Sequence, residues 1–400
     1  MMKNLLVGQS GGPTAVINSS LCGIINEAKS QSSIDKVYGM VNGIEGFLKD
    51  SVIDLGKLTD DELKLLKTTP AAYLGSCRYK LPKDFTDGTY KILFEKLQNQ
   101  NIGYVLYIGG NDSMDTVDKL STYASEVGAD IKFIGVPKTI DNDLMGTDHT
   151  PGFGSAAKFV ANTVRNIAYD AEVYDKESVT IVEIMGRHAG WLTAASVIAR
   201  EKSNDNPLLI YLPEADFCLE KFFDDVKTAL KIHKNVVVCV SEGIKDKDGK
   251  FICEYATEAG VDTFGHKNLT GCGKFLENQV KANLGVKVRS VELNVTQRCA
   301  SNLLSKRDIE EAYRVGVEGV KVATLGETAK MICMVREGEY EIAYKPVDVN
   351  MISNMEKIFP PEWIENGNDI SNKFSRYILP LIEGEVEIPM ENGIGKYLKR

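Results

Sequence analysis

The chain has 400 residues, of which 43% are hydrophobic and 26% are charged, and its formal net charge is −9. This composition excludes an intrinsically disordered chain, and the negative charge disfavours non-specific binding to nucleic acid. No apolar run approaches the roughly 18 residues that a membrane-spanning helix needs, so we expect no membrane partner. The length exceeds what one hydrophobic core usually supports, which predicts two lobes.

Strand-like apolar runs alternate with helical patterns along most of the chain. KNLLVGQ precedes a helix predicted for residues 14–30, and YVLYIGG precedes a helix predicted for residues 112–127. Near-continuous apolar strands separated by helices predict an α/β fold with mainly parallel sheets. The later strands are predicted at IKFIGVP, SVTIVEIMG, PLLIYLPE, NVVVCVSEG and VKVRSVELN.

The tail of the chain has a different pattern. MICMVREGEYEIAYKPVD predicts a β-hairpin with its turn near Glu337 and Gly338. IFPPEW interrupts regular structure, and NKFSRYILPLIEGEVEIP leads towards the end of the chain.

The cysteines and histidines limit the kinds of site that the chain can contain. Eight cysteines are scattered without a Cys-x-x-Cys pair, and several lie in apolar strand patterns. This pattern is typical of buried thiols in a reducing compartment and not of a disulfide framework or a zinc site, so we expect a cytoplasmic protein. Because only four histidines are present, a general base is expected to be a carboxylate.

Nearly every predicted strand ends in glycine and polar residues. Each of these stretches taken alone is consistent with an ordinary turn. In parallel sheets, however, ligands bind at the carboxyl ends of the strands, and five such stretches on one edge indicate a functional site. They are GQSGGPT, GGNDS, PKTIDND, MGRHAG and SEG.

The stretch GQSGGPTAVINS, residues 8–19, combines a strand end, a glycine turn and a helix start. Glycines such as Gly11 and Gly12 let backbone N–H groups approach an anion, and the helix dipole favours negative charge there. It is not a Walker A loop, because no lysine follows. GFGSAA at residues 152–157 fits a dinucleotide fingerprint only weakly, since no strand directly precedes it. A nucleotide-binding sensor module would depend on that stretch alone.

The stretch PKTIDND, residues 137–143, carries two carboxylates and a cation. Asp141 and Asp143 are separated by one residue, so one can face a substrate and the other a metal ion. Lys138 supplies a point charge suited to phosphate. An Asx-rich turn with an incidental lysine is the alternative, whereas a calcium loop is excluded because its downstream glycine and glutamate are missing.

Charged residues also follow the other strands. Arg187 in MGRHAG offers a planar fork for phosphate, and Glu242 in SEG could accept hydrogen bonds from sugar hydroxyls. In GGNDS, Asp112 taken alone is consistent with a helix-capping residue. Together with the glycine turns, these groups suggest phosphoryl transfer onto a phosphorylated sugar. The further cations are Arg78, Lys80, Arg289 and Arg298.

The motifs, in their order and spacing, resemble the phosphofructokinase family over about residues 3–300, and the tail after about residue 350 resembles that of its pyrophosphate-using branch. The resemblance implies two Rossmann-like lobes with the active site in the cleft between them and a C-terminal extension. Residues 1–152 with about 298–348 would form the donor lobe, and residues 153–297 with about 349–400 the sugar-phosphate lobe. The motifs are GGPTAVIN, LGSCR, GGNDS, PKTIDND, MGRHAG, SEG and QR.

The resemblance further implies that fructose 6-phosphate is phosphorylated at its 1-hydroxyl with the help of Mg²⁺. Carried over by position, Asp141 would be the general base, and Asn111 and Asp143 would hold the Mg²⁺. Arg289 would reach the site of a neighbouring subunit, which implies a homo-oligomer, either a dimer or a tetramer. The residues implied to bind the sugar phosphate are Thr139, Asp141, Met185, Gly186, Arg187, Glu242, Arg289 and Arg298, and those implied to bind the donor are Gly11, Gly12, Arg78 and Lys138.

Two positions indicate the phosphoryl donor. ATP-using members resemble GGDGS and PGTIDND, whereas this chain has Asp112 and Lys138 at the two glycine positions. A carboxylate at Asp112 would repel the α-phosphate of ATP, since like charges about 4 Å apart cost roughly 4 kcal/mol at an effective dielectric constant of 20. Lys138 would neutralise charge on the transferred phosphoryl group. Both residues favour pyrophosphate over ATP. With pyrophosphate as donor, the resemblance implies a reversible reaction that gives fructose 1,6-bisphosphate and phosphate.

Three positions depart from the family pattern. Asn111 stands where most members have a magnesium-binding aspartate. Ser178 and Val295 stand where short bacterial members have an arginine that crosses the subunit interface and a histidine near the sugar phosphate. Two alternatives stay open: an ATP-dependent 6-phosphofructokinase, and a non-catalytic regulatory subunit of a hetero-oligomer, which only Asn111 suggests and the intact TIDND motif argues against.

Overall fold

The computed structural model of the protein describes residues 2–255 and 271–400. The strands in these ranges are β1 (Lys3–Gln9), β2 (Ile34–Met40), β3 (Val52–Asp54), β4 (Ile102–Gly109), β5 (Lys132–Pro137), β6 (Ser178–Ile184), β7 (Leu209–Tyr211), β8 (Asn235–Ser241), β9 (Lys287–Glu292), β10 (Lys330–Glu337), β11 (Glu341–Asp348), β12 (Ile364–Glu365), β13 (Asp369–Ile370), β14 (Met390–Glu391) and β15 (Ile394–Gly395). The α-helices in the same ranges are α1 (Ile17–Ser30), α2 (Gly43–Leu48), α3 (Asp60–Thr68), α4 (Gly88–Asn99), α5 (Asn111–Glu126), α6 (Phe153–Glu172), α7 (Trp191–Ala194), α8 (Leu219–Ile232), α9 (Cys272–Leu284), α10 (Lys306–Thr324) and α11 (Asn372–Ile378).

Two sheets organise the chain. The larger has the strand order β11-β10-β5-β4-β1-β2-β3, and the smaller has the order β7-β8-β6-β9. All pairs in the smaller sheet are parallel, and the larger sheet is parallel except at its two edges, where β3 and β11 run antiparallel to their neighbours. The predicted α/β fold with mainly parallel sheets is confirmed. So is the hairpin, in which Glu337 pairs with Glu341.

The central strands are buried on both faces, which explains their continuous apolar runs. Leu5 and Val7 of β1 pack on the side of α1 and α10, whereas Leu6 between them packs on the opposite side with Phe133 of β5. This alternation follows from the two-residue period of a strand. Each face therefore needs its own layer of helices, and the large sheet has one on each side.

The smaller sheet has a separate core. Val182 of β6 packs in a cluster with α6, and this cluster also takes Phe359 and Phe374 from the end of the chain. The part of the chain from Phe359 to Leu381 thus packs against the second sheet, although β10 and β11 belong to the first and Ile352 still packs there. The assignment of one lobe to the donor and the other to the sugar phosphate stays a prediction.

The start of α1 differs from its predicted start by three residues. The helix begins at Ile17, because the carbonyl oxygen of Thr14 accepts a hydrogen bond from the backbone N–H of Ala71 (3.2 Å), outside any helix. Within the described residues, no helix is both long and apolar enough to cross a membrane. All eight cysteines lie in the described part of the chain, and none of them forms a disulfide.

Candidate active site

Three of the predicted turns follow β1, β4 and β5, which are neighbours in the larger sheet. The backbone N–H of Lys138 donates to the carbonyl oxygen of Gly109 (2.9 Å), which joins the turn after β5 to the turn after β4. The hydroxyl of Ser113 donates to the hydroxyl oxygen of Ser10 (3.0 Å), which joins the turn after β4 to the turn after β1. Parallel order thus brings three of the five predicted stretches to one edge. The other two, MGRHAG and SEG, follow strands of the smaller sheet, so the expectation of five stretches on one edge was wrong.

Two cations flank the glycine turn after β1. The Nζ atom of Lys138 donates to the carbonyl oxygen of Gly12 (2.6 Å), and the side chain is only 2% exposed. A Cβ atom at Gly11, which has φ +76°, would lie 3.3 Å from that Nζ atom, and one at Gly12 would lie 3.6 Å from Cζ of Arg298. The absence of side chains at both glycines therefore leaves the room that the two cations occupy.

Burial tunes the pKa of Lys138. Removal from water and the nearby charge of Arg298 lower the pKa of the ammonium to about 8, while the carboxylates of Asp141 and Asp143 oppose this change. Arg78, although exposed, is close enough for its charge to lower this pKa further. The donor-side residues predicted from the sequence therefore form one electrostatic cluster.

Asp141 lies at the centre of the site. Burial and the neighbouring charge of Glu242 raise the pKa of the Asp141 carboxyl to about 6, against the opposing charges of Arg298 and Lys138. The hydroxyl oxygen of Thr139 accepts a hydrogen bond from the backbone N–H of Asp141 (3.1 Å), which fixes the backbone beside the carboxylate. A carboxyl with a pKa near the working pH suits general base catalysis.

A metal ion would satisfy two residues of the site. The Oδ1 atom of Asp143 and both polar side-chain atoms of Asn111 are buried without a hydrogen-bond partner. Such orphaned groups are rare in folded proteins, and a bound cation would pair with the two oxygens, those of Asp143 and Asn111. Burial and the charge of Asp141 raise the pKa of Asp143 to about 7. No cluster of three or more His, Cys, Asp or Glu that could hold a metal occurs in residues 2–255 or 271–400, so Mg²⁺ would need further oxygens from a substrate.

The smaller sheet contributes the turns after β6 and β8. The backbone N–H of Glu242 donates to the carbonyl oxygen of Ile184 (2.9 Å), and the backbone N–H of Gly186 donates to the Glu242 carboxylate (3.4 Å). A Cβ atom at Gly243 would lie only 2.0 Å from the carbonyl oxygen of Arg187. The two turns are therefore packed backbone against backbone, which only glycine allows at this position.

This side of the site offers cations for a phosphate group and a carboxylate for the hydroxyl groups of the same ligand. Burial raises the pKa of Glu242, while Arg187 and Arg298 lower it, so both guanidinium groups lie near the carboxylate. The Nε atom of Arg187 is buried without a hydrogen-bond partner and can donate to a phosphate oxygen. The backbone N–H of Met185 donates to the side-chain oxygen of Gln297 (3.3 Å). Gln297 is a further residue of the site, and its only signal in the sequence is its position next to Arg298.

Two predicted residues lie apart from this cluster. Asp112, in the first turn of α5, has a side chain that is 49% exposed and an oxygen 3.6 Å from the Nζ atom of Lys80. Arg289 lies on the edge strand β9, where it is exposed and pairs with Asp170 and Thr180 of its own chain. The expectation that Arg289 reaches a neighbouring subunit stays a prediction.

Residues from the end of the chain lie behind the acidic turn, and no sequence motif predicted them there. We call residues 139–148 the acid loop, because it carries Asp141 and Asp143. Asn142, between the two carboxylates, is fully buried in the left-handed region with φ +55°. Lys357 and Tyr377, both from the end of the chain, contact its side chain. No local pattern in the sequence connects these positions.

Residues 4–323 match the family model described as phosphofructokinase. The chain belongs to the phosphofructokinase family. It is 39% identical to the pyrophosphate–fructose 6-phosphate 1-phosphotransferase of Halomonas elongata, a match that covers 99% of this chain and 96% of that protein. The protein with the same name from Xanthomonas campestris is 41% identical, with 99% and 95% covered.

Solved structures of the family agree with this assignment. The pyrophosphate-dependent phosphofructokinase from Nitrosospira multiformis has a TM-score of 0.91 at 36% identity, and the match covers 100% of this chain and 96% of that one. The enzyme of the same name from Marinobacter aquaeolei has a TM-score of 0.89, also at 36% identity, with 99% and 95% covered. The fold of this phosphofructokinase is thus shared with relatives over the whole chain, including the C-terminal extension.

Proposed function

We propose that this phosphofructokinase transfers a phosphoryl group reversibly from pyrophosphate to the 1-hydroxyl of fructose 6-phosphate, which gives fructose 1,6-bisphosphate and phosphate. One observation carries the choice of donor. Lys138 occupies the position where ATP-using members have glycine, and its buried ammonium contacts the glycine turn beside Asp141. The names of the relatives from Halomonas elongata and Xanthomonas campestris support the same donor and the same sugar.

The residues divide the reaction between them. Asp141 would remove the proton of the 1-hydroxyl, since its raised pKa allows it to take and return a proton near neutral pH. Lys138 and Arg298 flank the glycine turn and would neutralise the charge on the donor and on the transferred group. The proposed sugar-phosphate ligands are Thr139, Met185, Gly186, Arg187, Glu242 and Arg298.

Asp112 is expected to contribute less to the discrimination against ATP than its position in the sequence predicts. Its carboxylate is half exposed and has Lys80 as a neighbour at 3.6 Å, so water and that cation weaken its repulsion of ATP. Lys138 is buried and excludes ATP by occupying space, an effect that solvent does not weaken. Most of the discrimination against ATP is therefore assigned to Lys138, which fills the space that a glycine would leave open.

Mg²⁺ fits the orphaned oxygens of Asn111 and Asp143, which we propose as its protein ligands. When bound, Mg²⁺ would neutralise phosphate charge. Two protein ligands are few, but Mg²⁺ is commonly held by one or two side chains together with substrate phosphates. Asn111 would contribute an amide oxygen and no charge, so the affinity for free Mg²⁺ is expected to be low until a phosphate ligand arrives.

We further propose the lobe roles, the assembly and the location. Residues 1–152 with about 298–348 would bind the donor, and residues 153–297 with about 349–400 the sugar phosphate. A homo-oligomer, a dimer or a tetramer, would let the exposed Arg289 on β9 act in a neighbouring site. The eight cysteines without disulfides fit a reducing, cytoplasmic location.

The decisive test compares donors. Purified protein is assayed with fructose 6-phosphate and Mg²⁺, with pyrophosphate and ATP in parallel reactions. We expect turnover with pyrophosphate and little with ATP, and a gain in ATP use for the double variant Asp112→Gly/Lys138→Gly. Fast wild-type turnover with ATP would instead make it an ATP-dependent enzyme. No turnover with either donor would favour a regulatory subunit.

A further inference from the structure

The ammonium group of Lys357 donates three hydrogen bonds, all of them to the acid loop. Its Nζ atom donates to the side-chain oxygen of Asn142 (3.2 Å) and to the carbonyl oxygens of Thr147 (3.1 Å) and Asp148 (2.7 Å). A lysine has three N–H donors, so these three acceptors satisfy it fully. One side chain from the C-terminal extension thus joins the middle of the acid loop to its end.

The backbone of Lys357 connects the same loop to the second lobe. Its N–H donates to the carbonyl oxygen of Asp143 (2.7 Å), and its carbonyl oxygen accepts a hydrogen bond from the indole N–H of Trp191 (3.1 Å). The ammonium also lies 5.1 Å from the centre of the Trp191 ring, within range of a cation–π interaction. Trp191 begins α7, four residues after Arg187. Lys357 therefore contacts both the loop of the base and the element that follows the sugar-phosphate turn.

Asn142 links Lys357 to the two carboxylates, since it contacts Lys357 and lies between Asp141 and Asp143 in the chain. It is fully buried, and its left-handed backbone turns the chain between Asp141 and Asp143. Its side chain is held on both ends: the amide N–H₂ donates to the hydroxyl of Tyr377 (3.0 Å), and the amide oxygen accepts from Lys357. A displacement of this side chain would change the direction of both neighbouring carboxylates together.

We propose that Lys357 is a positioning residue, which holds Asn142 and thereby fixes Asp141 and Asp143 relative to Arg187 across the two lobes. This inference rests on the proposed function, in which Asp141 is the base. It assigns to the C-terminal extension a part in catalysis: the extension supplies the lysine that keeps the acid loop in its productive position.

A second lysine offers a matched control. Lys158 of α6 is buried, whereas Lys357 is partly buried. The Nζ atom of Lys158 donates to the backbone carbonyl oxygens of Leu304 (3.2 Å) and Gly384 (2.8 Å) and to the carboxylate of Glu385 (3.0 Å). These acceptors lie outside the acid loop. Each methionine variant removes an ammonium that donates to two backbone carbonyl oxygens and one side-chain oxygen, so a purely structural role for Lys357 would give both variants the same kinetic behaviour.

The test measures kcat, the KM for fructose 6-phosphate and the melting temperature of the full chain. For Lys357→Met we expect kcat to fall about 100-fold while KM changes much less, because displaced reacting groups lose about that much rate. Lys158→Met should lose thermal stability and keep kcat, and Lys357→Arg should retain more activity than Lys357→Met. Equal kcat values for the two methionine variants would overturn the proposal.

A double-mutant cycle tests the route through Asn142. If Lys357 acts through this residue, Asn142→Ala and Asn142→Ala/Lys357→Met should have the same kcat, whereas independent effects would multiply and contradict the inference. Crystal structures of the wild type and Lys357→Met separate the two proposals if the wild type shows no turnover. A displaced acid loop in the variant would then support the positioning role alone, and an unmoved loop would refute it.

Discussion

The Nζ atom of Lys138 lies 2.6 Å from the carbonyl oxygen of Gly12, although the two residues are 126 positions apart in the chain. The backbone of Lys138 is fixed separately by its hydrogen bond to Gly109. The side chain therefore spans from the end of β5 to the turn after β1, and its charge lies where three strand ends meet. Any anion bound on the glycine turn would lie next to this ammonium.

Lys138→Met is expected to lower kcat with pyrophosphate by about 100-fold or more, since losing one preorganised group that stabilises developing charge has that effect. The variant should fold, because burial already disfavours this charge and lowers its pKa to about 8. Steady-state kinetics with pyrophosphate measure the loss. Lys119→Met, which removes a partly buried ion pair with Asp115 within α5, is the control and should keep kcat. An active Lys138→Met enzyme would contradict the proposed donor site.

Asp141→Asn should lower kcat by roughly 100-fold to 10,000-fold, the contribution typical of a general base. The replacement has the same shape, and the hydrogen bond between Thr139 and the backbone of residue 141 is kept, so the KM for fructose 6-phosphate should change little. Asp143→Asn is the comparison. Because Asp143→Asn removes a proposed metal ligand, raising the Mg²⁺ concentration should restore part of its lost kcat. Added Mg²⁺ should not raise the kcat of Asp141→Asn. Recovery of both variants by Mg²⁺ would show that Asp141 is not the base.

Gly243→Ala should weaken binding of fructose 6-phosphate. The added methyl group would lie 2.0 Å from the carbonyl oxygen of Arg187, so the turn that carries this arginine must move. Overpacking of this kind costs about 1–3 kcal/mol of stability, and we expect the KM for fructose 6-phosphate to rise. Gly88→Ala is the control, since an added Cβ atom there meets nothing within 4 Å. Unchanged KM in Gly243→Ala would show that the turn does not position Arg187 for the sugar phosphate.

Local patterns predicted the parts of the site that depend on strand ends. Parallel strands of one sheet align their carboxyl ends, so Gly12 and Lys138 could be grouped from the sequence. Glu242 follows a strand of the other sheet, and how the two sheets face each other depends on tertiary packing. The contact between Asp112 and Lys80 could not be predicted from the sequence, because Lys80 lies on a segment whose path depends on tertiary contacts. The contact between Lys357 and Asn142 could not be predicted either, because the two residues are 215 positions apart. Contacts of this kind depend on where the C-terminal extension packs, and its hydrophobic pattern does not specify that place.

His149 lies between two carboxylates behind the acid loop. Its Nδ1 atom is 2.8 Å from an oxygen of Asp148, and its Nε2 atom is 2.7 Å from an oxygen of Glu311. Arg336 also donates to Asp148, and the hydroxyl of Tyr340 donates to Glu311. Burial alone would lower the pKa of His149, but the hydrogen bonds and charges of the two carboxylates raise it above its ordinary value. Both ring nitrogens can donate only in the protonated ring.

The raised pKa predicts a pH-dependent contribution to stability. A histidine that binds its proton more tightly when folded stabilises the protein fully below its unfolded pKa of about 6.5, and this contribution is lost as the pH rises through the folded pKa. The free energy of unfolding of the wild type should therefore exceed that of His149→Gln by the largest margin below about pH 6.5, and this margin should shrink as the pH rises through the raised pKa of folded His149. Urea unfolding across this range measures it. Asp148, whose pKa is lowered, acts in the opposite direction and only at acidic pH, so it does not mask the trend. A difference that stays constant with pH would show that His149 does not change its charge in this range.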